Sequence, residues 1–171
     1  MVQGQFCFIS DEFFTIHDKE HKLMRNKEMI NGTAHGRPCF YAFSDKKNPL
    51  IFWCVPISSQ IDKYKVVYNQ KITRQKEKGI KTPKCNTICF GEVMGIQKVF
   101  LIQNMFPIID KYINEIYINQ QTHTAVRIPQ NMEREIIFNA EKVLKLVWSG
   151  NEHLVFSAIT KTFNDLEAEL G

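Results

Sequence analysis

A chain of 171 residues with 44% hydrophobic and 23% charged residues has the balance of a globular protein with a buried core, which excludes a disordered or fibrous chain. No stretch approaches the roughly 18 apolar residues of a membrane helix, and the N-terminal MVQGQFCFISDEF lacks the basic start and long apolar run of a secretory signal, so a cytoplasmic protein is expected. The net charge is only +4, yet the uneven placement of the basic residues matters more to a polyanionic partner than their sum.

Gln5–Ile9 reads as a first strand, and Ser10 followed by Asp11 and Glu12 reads as the cap of a short helix through about His17. Pro38–Ser44 and Leu50–Ile57 are rich in β-formers and flank the turn sequence Asp45-Lys46-Lys47-Asn48-Pro49, which predicts a hairpin with Pro56 near a strand end or on an edge. A helix is expected to open at Ser58-Ser59, where Ser59 and Asp62 make an S-x-x-D capping box and Ile61, Tyr64, Val67 and Tyr68 share a face. Gly79 is expected to end that stretch. Thr87–Met94 and Lys98–Met105 read as a second strand pair around Gly95, after which Pro107 is expected to send the chain into an irregular or helical stretch. Apolar residues recur at helical spacing from Asn131 to Trp148, with Gly150 as the stop, and a last helix is expected from about Glu152 to Leu170. No repeat or linker divides the chain, so the expectation is one α+β domain over residues 1–171 with at least five strands, antiparallel strands first and paired helices last. The five cysteines are odd in number and form no C-x-x-C pair, which predicts free thiols, mostly in strands, and neither a disulfide framework nor a zinc ribbon.

The chemistry concentrates between Lys63 and Lys84. Lys63, Lys65, Lys71, Arg74, Lys76, Lys78, Lys81 and Lys84 stand there against a single acid, Glu77, with Tyr64, Tyr68 and Asn69 among them. Cations interleaved with aromatics suit a single-stranded nucleic acid, whose phosphates take the charges and whose bases stack; a solvated helix face is the alternative. Ser58-Ser59, at a strand end leading into a helix N-terminus, suits an anion, with Lys63 one turn beyond; the alternative is that Ser59 only caps the helix. Arg37 opens the preceding strand and could clamp phosphate, and His35, two residues earlier, is the histidine placed to act as acid or base. His17, His21, His123 and His153 show no metal-ligand spacing and read as surface or capping residues.

Together, Arg37-Pro-Cys-Phe-Tyr-Ala-Phe, Phe52-Trp-Cys-Val-Pro-Ile-Ser-Ser59, Asp62-Lys-Tyr-Lys65 and Val99-Phe-Leu-Ile-Gln-Asn-Met-Phe-Pro-Ile-Ile resemble the core of the ToxN/AbiQ superfamily, and within it the CptN and TenpN branch. The similarity covers roughly residues 35 to 170. It implies a twisted antiparallel sheet with a MazF/Kid-like barrel core, surrounding helices and a C-terminal helix pair. It also implies an endoribonuclease that needs no metal or other cofactor, the toxin of a type III toxin–antitoxin pair. In such a pair the partner is a repeated RNA pseudoknot, which the toxin cuts into repeats and then holds in a closed RNA–protein assembly. Free toxin cleaves cellular or phage transcripts. Ser58, Ser59 and Lys63 match the family's hydroxyl pair and lysine, although in the ToxN branch that lysine follows the pair by two positions, whereas here Gln60, Ile61 and Asp62 intervene.

The mechanism so implied is attack of the RNA's 2′-hydroxyl on the adjacent phosphate, giving 2′,3′-cyclic phosphate and 5′-hydroxyl ends, with Lys63 and the helix N-terminus stabilising the phosphorane. Two rivals remain open: a non-catalytic RNA-binding module, and a protein-interaction domain whose lysines are mere solvation.

Overall fold

The computed structural model describes residues 2–20, 22–30, 32–156 and 158–171, apart from the side chains of Glu28 and Ile30. His21 lies outside them. Strand β1 (Phe6–Ile9) runs into helix α1 (Asp11–His17), whose cap is the predicted one: the Phe13 N–H donates to the Ser10 hydroxyl at 3.3 Å. A hairpin that the sequence did not signal comes next, β2 (Lys27–Ile30) and β3 (Thr33–Gly36). Every β3 residue is exposed, so neither face needs the apolar alternation by which a strand is recognised.

The predicted hairpin is β4 (Cys39–Ser44) and β5 (Ile51–Ser58). Asp45 builds its turn. One carboxylate oxygen accepts from the Lys47 and Asn48 N–H groups, and the other accepts from the indole N–H of the fully buried Trp53 at 2.9 Å.

Helix α2 (Ile61–Glu77) leads to β6 (Cys89–Val93) and β7 (Ile96–Phe100), joined through Met94 and Gly95, both at positive φ. A turn with two positive φ values matches the twist of the flanking strands, which is why glycine stands at 95. The strands are shorter than predicted because the chain coils into a 3₁₀ turn at Ile102–Asn104. Pro107 does not break structure: it lies in β8 (Phe106–Ile109), which among the described residues pairs only with β5 and so leaves one edge where a missing N–H costs nothing. β9 (Ile113–Ile116) then pairs with β1.

Pro56 sits inside β5, and the topology explains it. β5 pairs with β8 over Ile51–Cys54 and with β7 over Ile57–Ser58, so Pro56 falls between two partners. Its carbonyl faces that side, accepting from the Leu101 N–H at 3.0 Å, so its lack of an N–H removes no bond from either ladder.

The strand order β6-β7-β5-β4-β1-β9, with β8 branching from β5, corrects the barrel core implied by the family resemblance. β6 and β9 stand at opposite ends and no described residue pairs them. The sheet forks along β5 instead of curling shut, and helix α3 (Gln130–Trp148) lies along β6, with Met132 over Gly91 and Asn139 donating to the Cys89 sulfur. The molecule is α+β, an open antiparallel sheet with helices around it. The expected helix from Glu152 to Leu170 is divided into a 3₁₀ turn, Glu152–Leu154, and α4 (Ile159–Leu170), with Ser157 outside the described residues.

Helices α1, α3 and α4 bury Phe13, Ile136, Val143, Phe163 and Leu166 in the main core with Trp53 and Phe106. Helix α2 closes a second cluster, Tyr64 against Ile88, Val99 and Leu101, while Phe100 joins the main core, so alternation along β7 feeds both sides of the sheet. No described helix is long and apolar enough to cross a membrane. All five cysteines are free: Cys7, Cys39, Cys54 and Cys89 are buried in strands, and Cys85 is half-buried.

Candidate functional site

Four separated segments meet in a cavity of about 200 Å³ at the Ser58 end of the β4–β5 hairpin. His35 and Arg37 come from the end of β3, Ser58 from the end of β5, Lys98 from β7, and Tyr117 from the chain after β9. Of the candidates read from the sequence, the structure therefore brings together His35, Arg37 and Ser58.

Arg37 is 8% exposed. Its backbone N–H donates to the Asn26 carbonyl at 2.7 Å and its guanidinium to the Arg25 carbonyl at 2.8 Å, so this cation also closes the base of the β2–β3 hairpin, joining its two arms. His35 beside it is exposed. Gly36 is held to glycine by packing, because a Cβ there would stand 3.0 Å from the Phe8 ring, which in turn packs edge-on against Tyr117 at 5.4 Å.

The serines part company. Ser58 is 1% exposed and its hydroxyl accepts from the Gln60 N–H at 3.2 Å, closing the turn between β5 and α2. The Ser59 hydroxyl accepts from the Lys98 ammonium. The predicted S-x-x-D box is therefore not formed: Gln60 is the N-cap, makes no side-chain cap, and the Ile61 N–H donates to the Ser59 carbonyl at 2.9 Å. Pairing register is the reason. Ser58 stands opposite Val99, which sets Lys98 across from Ser59, and a charge-assisted bond to an ammonium outcompetes a neutral cap.

Lys63 does not line the cavity. It is exposed, with its ammonium 5.5 Å from the centroid of the Tyr64 ring. Tyr64 is itself buried in the second cluster, and Tyr68 is half-buried against Phe90 at 5.7 Å, so these rings are core and not an open stacking platform. Lys71 turns inward, donating to the Thr87 hydroxyl at 2.9 Å and the Gln103 amide oxygen at 2.8 Å, and burial holds its pKa below the ordinary lysine range. Lys65, Arg74, Lys76, Lys78, Lys81 and Lys84 are exposed. Gln75 clips the loop carrying the last of these to α2 through the Lys84 N–H and carbonyl, at 3.0 and 2.9 Å.

Sequence reasoning missed Lys98 and Tyr117. Neither carries a local signal, since each reaches the cavity only through pairing with strands far away in the chain. His17, read as a surface or capping residue, is instead buried against Glu169 and Tyr112. Among the described residues no three metal-ligating side chains converge.

No family model matches the chain, and no curated protein is significantly similar to it.

Proposed function

We propose that the chain is an endoribonuclease of the type III toxin class, which cleaves RNA through the RNA's own 2′-hydroxyl and is held inactive by a repeat RNA pseudoknot that it also processes. The observation that supports this best is the convergence of Lys98, Arg37, His35 and Ser58 on one cavity from separate segments, with Ser59 holding the Lys98 ammonium. Two cations at one cavity suit a phosphodiester, and an imidazole beside them suits proton transfer.

In this reading the 2′-oxygen bonds to phosphorus as His35 takes its proton. Lys98 stabilises the charge that grows on the phosphorane and protonates the departing 5′-oxygen, leaving a 2′,3′-cyclic phosphate. Ser59 positions Lys98, and Arg37 holds both the phosphate and the hairpin that carries His35. The exposed cations of α2 and the loop after it bind the flanking backbone, where counterion release makes affinity fall with salt. Lys98 thus takes the role that the family pattern suggested for Lys63.

The test is single-turnover cleavage of a two-repeat precursor in EDTA. Lys98→Ala is expected to lose about 10²–10³ in rate, the usual cost of removing one transition-state donor, while melting temperature and RNA binding stay near wild type. Lys63→Ala should cut at close to the wild-type rate. A Lys98→Ala protein that cuts normally overturns the assignment of the site, and a wild-type protein that binds the precursor without cutting it is a non-catalytic RNA-binding module.

A further inference from the structure

A second cavity, of about 280 Å³, opens at the other end of the β4–β5 hairpin, beneath the Asp45 turn and between α3 and α4. At about 3.3 Å per residue it lies roughly 20 Å along β4 from the first. We propose that it binds a single nucleotide whose base carries an exocyclic amino group. The proposal rests on this cavity alone and not on cleavage at the other.

The walls suit a flat aromatic ligand. Trp148, the last residue of α3, is 44% exposed and stands edge-on to Phe163 at 5.5 Å, and Phe163 stacks on the buried Trp53 at 6.0 Å and 9°. An exposed indole braced on two buried rings loses little freedom when a base stacks on it. The volume suits one base, not a polymer, lying just below the usual span of small-ligand pockets, roughly 300–1,000 Å³.

Charge around the rim then selects a nucleotide over a neutral ring. Asp45 is engaged by Trp53 and by the backbone of its own turn, and Glu141 pairs with Lys46 at 3.1 Å. Lys47 and Lys145, on the same rim, make no ion pair among the described residues, and they supply the two cations that a phosphate takes. Asn164 and Glu167 lie one turn apart on α4 and line the same cavity. The amide, which donates and accepts, can pair with either kind of base edge, whereas the carboxylate beside it only accepts and so favours an edge bearing an amino group over the carbonyls of uracil.

The test titrates the whole chain with AMP, UMP and adenosine, followed by indole fluorescence and calorimetry. AMP should quench saturably, with UMP and adenosine binding at least about fivefold more weakly. Trp148→Ala should weaken AMP at least about fivefold through lost stacking, and the surface double variant Lys47→Ala/Lys145→Ala, which disturbs no packing, should bring AMP down to the level of adenosine. Lys98→Ala should bind AMP as wild type does, which separates this cavity from the first, and cleavage of the precursor is scored independently. The proposal is overturned if AMP binds no better than adenosine and UMP, if the lysine pair is without effect, or if Lys98→Ala abolishes the titration.

Discussion

The His17 side chain is 2% exposed, and its Nε2 lies 3.0 Å from a Glu169 oxygen, while the Tyr112 hydroxyl donates to the same carboxylate at 2.7 Å. An ionised carboxylate can only accept, so the imidazole proton sits on Nε2, and the buried Nδ1 has no hydrogen-bond partner among the described residues. Protonating Nδ1 would bury an unsatisfied donor. Burial accordingly holds the His17 pKa below its ordinary 6.5, against the pull of Glu169 and Asp165 and with Lys161 adding to the depression. A histidine whose folded pKa is depressed contributes stability that is present above its unfolded pKa and lost as pH falls through the folded one. The melting temperature of the wild type should therefore fall more steeply between about pH 7 and pH 5 than that of His17→Gln; parallel curves would show that His17 carries no such linkage. Local patterns were legible in the sequence where no distant group competed. Ser10 caps α1 as read, whereas Ser59, in an equally good capping pattern, is taken by Lys98.

Gly91 and Met132 show how closely α3 lies on the sheet. A Cβ on Gly91 would stand 1.7 Å from the Met132 terminal carbon and 2.3 Å from its sulfur. Replacing glycine by alanine usually stabilises by about 0.4–1 kcal/mol through the unfolded chain, whereas overpacking costs about 1–3 kcal/mol. The atoms met are the far end of a flexible, half-buried side chain that must swing aside, so Gly91→Ala should raise the melting temperature less in the wild type than in a Met132→Ala background, where the space is open, with coupling of about 0.5–3 kcal/mol between contacting sites. Strict additivity in that double-mutant cycle would mean that the helix does not touch this strand. The same scale explains which elements could be read in advance. The β4–β5 hairpin, α1 and α3 announce themselves through local periodicity and turn residues. β8 and β9 do not, because their partners, β5 and β1, lie about 50 and 100 residues earlier and supply the order that their own short sequences lack. The fork along β5 was equally invisible, and Pro56 could be understood only once both of its flanking partners were known.

Across the whole molecule, the hairpin that the sequence shows most plainly also joins the two candidate sites, with one cavity at each end of its strands. The hairpin itself supplies Ser58 at one end and Asp45 and Lys47 at the other, and the remaining polar groups come from β3, β7 and the chain beyond β9 at the first and from the C-terminal helices at the second. The three central strands β5, β4 and β1 carry Cys54, Cys39 and Cys7, and Cys89 lies on β6. Burial pushes the Cys39 thiol well above its usual range and Cys89 to about 11, and a hydrogen bond with Cys7 together with burial pushes Cys54 well up too, so these three carry almost no thiolate while the sheet is intact. The protein thus contains its own clock for opening. Iodoacetamide should add quickly to Cys85 alone, and mass spectrometry should then show the remaining four adducts arriving together, at the rate at which the whole sheet unfolds. Long-lived species with two or three adducts would instead reveal that β6 or an outer strand peels away before the centre yields.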